Sequence, residues 1–178
     1  MKILLTGVSG YIGKRLLPVL LEAGHDVYCL VRLQGRQLNI QHPRCHIITV
    51  DLLKEKELQK IPDEIQVAYY LVHSMSDSRE HFESLEEKAA AHFAQRIQET
   101  QAKQIIYLSG LANHPRLSKH ILSRVNVEKI LKKSQVPVTI LRAGIIIGSG
   151  SASFEIIRDL VEKLPVLTVP KWIHNQCQ

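Results

Sequence analysis

The chain has 178 residues, 45% of them hydrophobic, which is enough to bury the core of one domain. No apolar run reaches the roughly 18 residues of a membrane span, the start is too short for a secretory signal, and Cys29, Cys45 and Cys177 form no Cys-x-x-Cys pair, so a cytosolic, reduced protein with no membrane partner is expected. The net charge of +6 is scattered over Lys14, Arg15, Lys54, Lys56, Lys132 and Lys133 with no aromatic-interleaved patch, which argues against nucleic acid as a partner.

Ile3 to Leu5 make a short apolar run suited to a central parallel strand. Glycines follow at Gly7, Gly10 and Gly13, and residues 11–23 carry Ile12, Leu16, Leu17, Leu20 and Leu21 at helical spacing. At such a strand-to-helix junction Gly7 permits a tight turn, Gly10 lets backbone approach a pyrophosphate, and Gly13 lets the helix pack close to the strand. Amides near Tyr11 and Ile12, at the positive end of the helix dipole, would face the anion. The spacing G-x-x-G-x-x-G is weak alone. It gains force because Gly24 stops the helix and residues 26–31 form a second strand, completing a βαβ unit.

Further along, residues 46–50 read as a third strand, 54–60 as a short helix and 67–72 as a fourth strand. A long helix over 78–100 presents Phe82, Leu85, Ala89, Phe93 and Ile97 on one face. Residues 104–108 make a fifth strand, 119–134 a helix with Ile121, Val125, Ile130 and Leu131 inward, 138–141 a sixth strand and 153–163 a last helix; 166–173 look like another strand. This alternation predicts an α/β fold, a doubly wound parallel sheet of six or seven strands, in a single dinucleotide-binding domain over 1–178.

Arg32 closes the second strand, where an acidic residue would hold a ribose 2′-hydroxyl and a basic one a 2′-phosphate. A guanidinium there favours NADP over NAD, with Ser9 and Arg36 assisting, by charge-assisted hydrogen bonds; the alternative is a solvated surface arginine. Asp51 is placed to accept a hydrogen bond from an adenine amine with Leu52 packing on the ring, or to serve as a turn residue. His42, Cys45 and His46 lack a fourth ligand, so no metal site is expected. There is no G-x-S-x-G elbow and no Walker lysine.

Thr6 to Gly13, Asp51-Leu52, the run Tyr70-Leu71-Val72-His73-Ser74-Met75, and the stretch from Leu141-Arg142-Ala143-Gly144 to Ser153 resemble an atypical or extended short-chain dehydrogenase/reductase. More narrowly, they resemble the NmrA-like, nucleoside-diphosphate-sugar epimerase-like NAD(P)-binding group. The resemblance covers nearly the whole chain and implies a Rossmann fold. It also implies a chain shortened relative to relatives that continue into a C-terminal region.

By the same resemblance, Leu71, Val72, His73 and Ser74 line the cofactor site, and residues 144–147 pass beside the nicotinamide carboxamide. Active members use a serine after the fifth strand and a Tyr-x-x-x-Lys on the next helix, the lysine lowering the tyrosine's pKa for proton exchange. Ser109 fits the serine, but the helix offers His120-Ile121-Leu122-Ser123-Arg124 instead. His120 and Arg124 are then either an acid–base group and a ribose or phosphate holder, or a surface histidine and a structural arginine. Two functions follow as expectations. One is an NAD(P)-dependent oxidoreductase- or epimerase-like enzyme acting on a carbonyl or hydroxyl compound. The other is a non-catalytic NADP(H)-binding redox sensor acting through a protein partner.

Overall fold

A continuous apolar run lets a short central strand bury both of its faces. In β1 (Lys2–Leu5), Ile3 and Leu5 point to one side of the sheet and Leu4 to the other, all of them at most 2% exposed. The computed structural model describes residues 1–32, 40–72, 82–112, 118–164 and 166. After β1 come α1 (Tyr11–Glu22), β2 (Asp26–Val31), β3 (Cys45–Thr49), a 3-10 helix (Glu55–Lys60) and β4 (Val67–Tyr70), then α2 (Phe82–Gln98), β5 (Gln104–Gly110), α3 (Lys119–Leu131), β6 (Val138–Ala143) and α4 (Ala152–Lys163). The six strands are all parallel, in the order β3-β2-β1-β4-β5-β6.

That order is the doubly wound arrangement expected from the sequence, with the chain's direction of travel reversing between β1 and β4. The crossovers therefore cover opposite faces. On one, Leu17, Leu20 and Leu21 of α1 pack on Ile3, Leu5, Val27 and Cys29. On the other, the 3-10 helix, α2 and α3 close over Leu4, Ala68, Tyr70, Ile105 and Tyr107, with the Tyr70 ring 4.7 Å from that of Phe93. Helix α1 ends on a two-bond cap: Gly24, at φ +79°, donates to the Leu21 carbonyl and His25 to that of Leu20. The segment expected over residues 54–60 forms as a 3-10 helix, and the strand expected over 166–173 falls, apart from Val166, outside the described residues.

Two features depart from the apolar patterning. The inward face of α3 is made by Ser123, Val127, Glu128 and Leu131, while Ile121, Val125 and Ile130 are only half-buried. Ser123 donates its hydroxyl hydrogen bond to the buried Glu86 of α2. Glu128 receives Arg142 of β6 in a two-point contact, Nε at 3.2 Å and Nη2 at 2.6 Å. Paired in this way, polar groups can be buried at little cost, so the helix turns a mixed face inward. The sheet also joins two cysteines far apart in sequence: the thiols of Cys29 and Cys45, on neighbouring strands, lie 3.7 Å apart and unbridged.

Arg96, 6% exposed, ties α2 to the neighbouring 3-10 helix and the residue that follows it. Its guanidinium donates to the carbonyls of Leu58, at 3.2 Å, and Ile61, and pairs with Asp63 and Glu99. Asp63 is largely in water, so the ion pair contributes little and the two carbonyls matter more. Arg96→Met should lower stability by about 2 kcal/mol, seen as a lower denaturant midpoint at an unchanged slope. An unmoved midpoint would mean that water can satisfy those carbonyls.

Candidate functional site

The turn after β1 is held by contacts that only small residues allow. Thr6 is fully buried, donates its hydroxyl to the Tyr69 carbonyl at 3.0 Å and accepts the Leu71 amide at 2.9 Å, so it ties the end of β1 to the continuation of β4. Gly7 follows at φ +66°, and a Cβ there would lie 2.5 Å from the Leu71 carbonyl oxygen. A Cβ on Gly13 would lie 2.6 Å from the Val8 Cα and closer still to the Gly7 oxygen, so the first turn of α1 rests directly on the strand-end backbone.

Gly10 differs. A Cβ built on it meets only the Gly7 oxygen, at 3.1 Å, and Gly10 and Ser9 are both exposed. Gly10 is the N-cap of α1, its side contributes no cap, and the first turn contains no acidic residue. The N–H groups of Tyr11, Ile12 and Gly13 have no intrahelical acceptor by the geometry of a helix start. They stand at the positive end of the dipole with no acidic residue in their own turn, which is the electrostatic form of an anion site.

The other sequence-expected residues gather along the same carboxyl edge of the sheet. Arg32 follows β2 and is exposed. Asp51 forms a turn: its Oδ1 accepts the Leu53 amide at 3.0 Å, and its own amide donates to Glu57 at 2.9 Å. Those contacts occupy one carboxylate oxygen of Asp51. Leu52 is buried in the α2-side core and its carbonyl lies 2.9 Å from the His92 ring. Leu71 and Val72 are half-buried just past β4. His73, Ser74 and Arg36 lie outside the described residues. Among the described residues no group of three or more His, Cys, Asp or Glu could hold a metal ion; His46 instead stacks on Tyr28 and Cys45 meets Cys29.

At the far half of this edge, β5 runs through Gly110, so Ser109 lies within the strand rather than after it. Its side chain shares the α2 and α3 face with Ile105 and Tyr107, is 1% exposed, and its hydroxyl makes no hydrogen bond of ordinary geometry among the described residues. Burial pushes the Tyr107 hydroxyl up to about 12, with the Arg124 charge acting against it, so Tyr107 is held as a neutral phenol. His120 is exposed in the first turn of α3. Arg124, one turn on, lays its stem over the end of β5, 3.5 Å from where a Gly110 Cβ would be.

Among the described arginines, Arg15 and Arg44 donate to backbone carbonyls and Arg96, Arg142 and Arg158 pair with carboxylates. Arg32 and Arg124 have no such acceptor among the described residues, and both stand at the ligand edge of the sheet. A contact that the sequence reading missed lies nearby: the segment after β6 returns to the first turn of α1, where Arg15 meets Ser149. The spacing of Tyr11 and Arg15, one helical turn apart, was its only signal.

The family model described as NAD dependent epimerase/dehydratase family matches residues 3–119. Nothing among the curated proteins matches the chain. Among solved structures, the Bordetella bronchiseptica enzyme WbmH in complex with NAD+ aligns with a TM-score of 0.73 and 17% identity over 90% of this chain and 62% of its own. WbmG of the same organism, in complex with NAD, aligns with a TM-score of 0.70 and 17% identity over 80% of this chain and 52% of its own. The UDP-glucose 4-epimerase of Thermotoga maritima, solved with UDP-glucose, gives 0.64 and 17% over 80% and 55%. At these identities the likeness is one of fold, and the chain spans between about half and three-fifths of each matched structure.

Two measurements check the geometry of this region. Gly13→Ala, which meets unyielding backbone, should cost about 3 kcal/mol, whereas Gly10→Ala should change stability by less than about 1 kcal/mol; equal denaturant midpoints would contradict the packing. For Glu128, burial is the largest single influence and raises the pKa, but the hydrogen bond and charge of Arg142, together with smaller contributions from Ser109 and Lys132, jointly outweigh it and leave the carboxyl below its ordinary value. Its contribution to stability is thus complete above the unfolded glutamate value of about 4.3 and is lost as pH falls through the lower folded value. Glu128→Gln should flatten the acid limb of a plot of stability against pH, and an unaltered limb would show that the pair does not titrate with unfolding.

Proposed function

The chain belongs to the NAD dependent epimerase/dehydratase family, and from that premise we propose that it is a single domain binding a nicotinamide dinucleotide, with NADP preferred and NAD accommodated, and that it works as an oxidoreductase- or epimerase-like enzyme on a carbonyl or hydroxyl compound. One observation carries the reading: the first turn of α1 is uncapped and free of acidic groups, its Gly10 side is open, and two guanidinium groups with no acceptor among the described residues stand at the same sheet edge. A diphosphate satisfies the amides, and a 2′-phosphate would satisfy Arg32. That WbmG and WbmH were solved with NAD or NAD+ supports the dinucleotide and leaves the 2′-phosphate resting on Arg32 alone.

Cofactor contacts are assigned to Gly7, Ser9, Gly10, Tyr11, Ile12 and Gly13 for the diphosphate. Arg32 takes the ribose phosphate, Asp51 and Leu52 the adenine, and Leu71, Val72, His73 and Ser74 the strand-end backbone. Arg124 is assigned to a cofactor ribose or phosphate, and the exposed His120 to proton exchange with substrate, which an imidazole can perform near neutral pH. Ser109 faces the covered side of the sheet, so its role is to line the floor rather than to attack. The NmrA-like placement rests on residues 70–75 and on Gly-Ser-Gly-Ser-Ala-Ser-Phe over 148–154. A cytosolic setting is proposed on the cysteine pattern of the sequence, in which Cys29, Cys45 and Cys177 form no Cys-x-x-Cys pair. The redox-sensor alternative finds no contact or surface of its own among the described residues.

Calorimetric titration with NADPH and NADH tests the reading. Arg32→Ala should weaken NADPH about tenfold and leave NADH nearly unchanged, the effect of losing one charge-assisted phosphate contact. Gly10→Val, which fills the open side, should abolish uptake of both in a protein that still folds. If NADPH and NADH bind equally and neither responds to Arg32→Ala, the NADP assignment fails; if wild type takes up neither, the cofactor reading fails with it.

A further inference from the structure

Residues 146–151 form an ordered strap with its own internal bonds. Ser151 is buried, donates its hydroxyl to the Ile146 carbonyl at 2.6 Å and its amide to the Gly148 carbonyl at 2.9 Å. The Gly150 amide donates to Glu155 at the start of α4, at 2.8 Å. The strap lies against Tyr11. A Cβ on Gly148 would fall well inside 3.0 Å of the Tyr11 hydroxyl, and one on Gly150 would lie 3.9 Å from its ring. Arg15 completes the contact, with its guanidinium 3.9 Å from the centre of the Tyr11 ring and Nη2 donating to the Ser149 carbonyl.

Tyr11 is the first residue of α1 and its amide belongs to the uncapped turn, so whatever fixes its ring couples the strap to the anion site. We propose that Arg15 is a positioning residue which, by stacking on Tyr11 and holding the Ser149 carbonyl, latches the 146–151 strap to the first turn of α1 and so sets the rate at which the dinucleotide enters and leaves. This rests on the cofactor reading above. The guanidinium suits the task because one flat group stacks on a ring and donates in its own plane at the same time, which an ammonium cannot do. Both contacts are exposed enough to open thermally, as a gate requires, while the bonds of Ser151 keep the strap's shape when they do.

Stopped-flow association and dissociation rates for NADPH, read from its own fluorescence on wild type, Arg15→Ala and Arg15→Lys, test this. Arg15→Ala should speed both rates about tenfold, the worth of a stacked contact and a hydrogen bond together, with a melting temperature lowered by no more than the few degrees that those two contacts account for. Arg15→Lys, keeping a donor without the stack, should fall between. Hydrogen exchange on the unliganded proteins should show faster exchange at the Gly150 and Ser151 amides in Arg15→Ala. If wild type binds NADPH and Arg15→Ala exchanges it at wild-type rates, the latch is overturned while the cofactor reading stands. If wild type takes up no dinucleotide, the gating falls together with that reading, whatever the exchange at the strap.

Discussion

There is no space for a Cβ at Gly7 or Gly13, and most of what the molecule can do at its ligand edge depends on that exclusion. At Gly7 the obstructing atom is the Leu71 carbonyl oxygen, on the neighbouring chain segment; at Gly13 the obstructing atoms are the backbone of Val8 and Gly7. The turn is thus clamped from the side by β4 and from below by the start of its own helix. Thr6 reinforces the first clamp with bonds to both Tyr69 and Leu71. Because β1 and β4 are the strands between which the crossovers change face, the clamp also fixes the crevice that this reversal opens. A side chain at Gly13 would lift α1 from the end of β1, and one at Gly7 would push the turn off the Leu71 segment; either would turn the first amides of α1 away from that crevice.

The two faces of the sheet are held in different ways. On the α1 side packing is almost wholly apolar. On the α2 and α3 side, apolar packing is pinned by polar groups: Arg96 to the loop carbonyls, Ser123 to Glu86, and Glu128 to Arg142. Such pins add direction that hydrophobic contact lacks, since a two-point guanidinium–carboxylate contact tolerates little rotation. Beyond β5 the packing thins. Leu141 of β6 is 52% exposed, and α4 has no buried residue, with Ile156, Ile157, Leu160 and Val161 outward. Elements with few buried contacts open most readily. The strap joins exactly such elements, so its connection to the well-packed α1 through Arg15 and Tyr11 has a disproportionate influence on its order.

Legibility in the sequence followed the range of the interaction. Helix α1, its glycine stop and the parallel strands were readable because each depends on residues within a few positions: Gly24 caps its own helix, and Ile3, Leu4 and Leu5 carry their own burial. The doubly wound order was readable because crossover handedness leaves few alternatives. The inward face of α3 was not, because Ser123 and Glu128 become buried only through partners in α2 and β6. Apolar periodicity has no term for a polar residue whose partner is 14 or 37 positions away. Ser109 was placed after its strand for a similar reason: the ladder to β6, pairing Ser109 with Arg142 and Gly110 with Ala143, lengthens β5 by two residues beyond its apolar run. Cys29 and Cys45, well separated in sequence, meet only because β2 and β3 are neighbours.

Charge distribution gives the composition a meaning that net charge alone did not. Scattered along the sequence, an excess of +6 argues only against nucleic acid as a partner, yet the arginines among the described residues are not interchangeable. A guanidinium carries five donors in a fixed fork that matches carboxylates and carbonyls. Arg96 and Arg142 find carboxylates, and Arg15 and Arg44 find carbonyls. Arg32 and Arg124 find none among the described residues. If this were ordinary surface chance, such arginines would be spread over the molecule; instead one follows β2 and the other lies over the end of β5, with the uncapped start of α1 on the strands between. These two guanidinium groups thus flank, at the edge where the crossovers reverse, a helix start whose first turn holds no acidic residue, so this part of the positive charge sits at one edge of the sheet rather than being spread evenly.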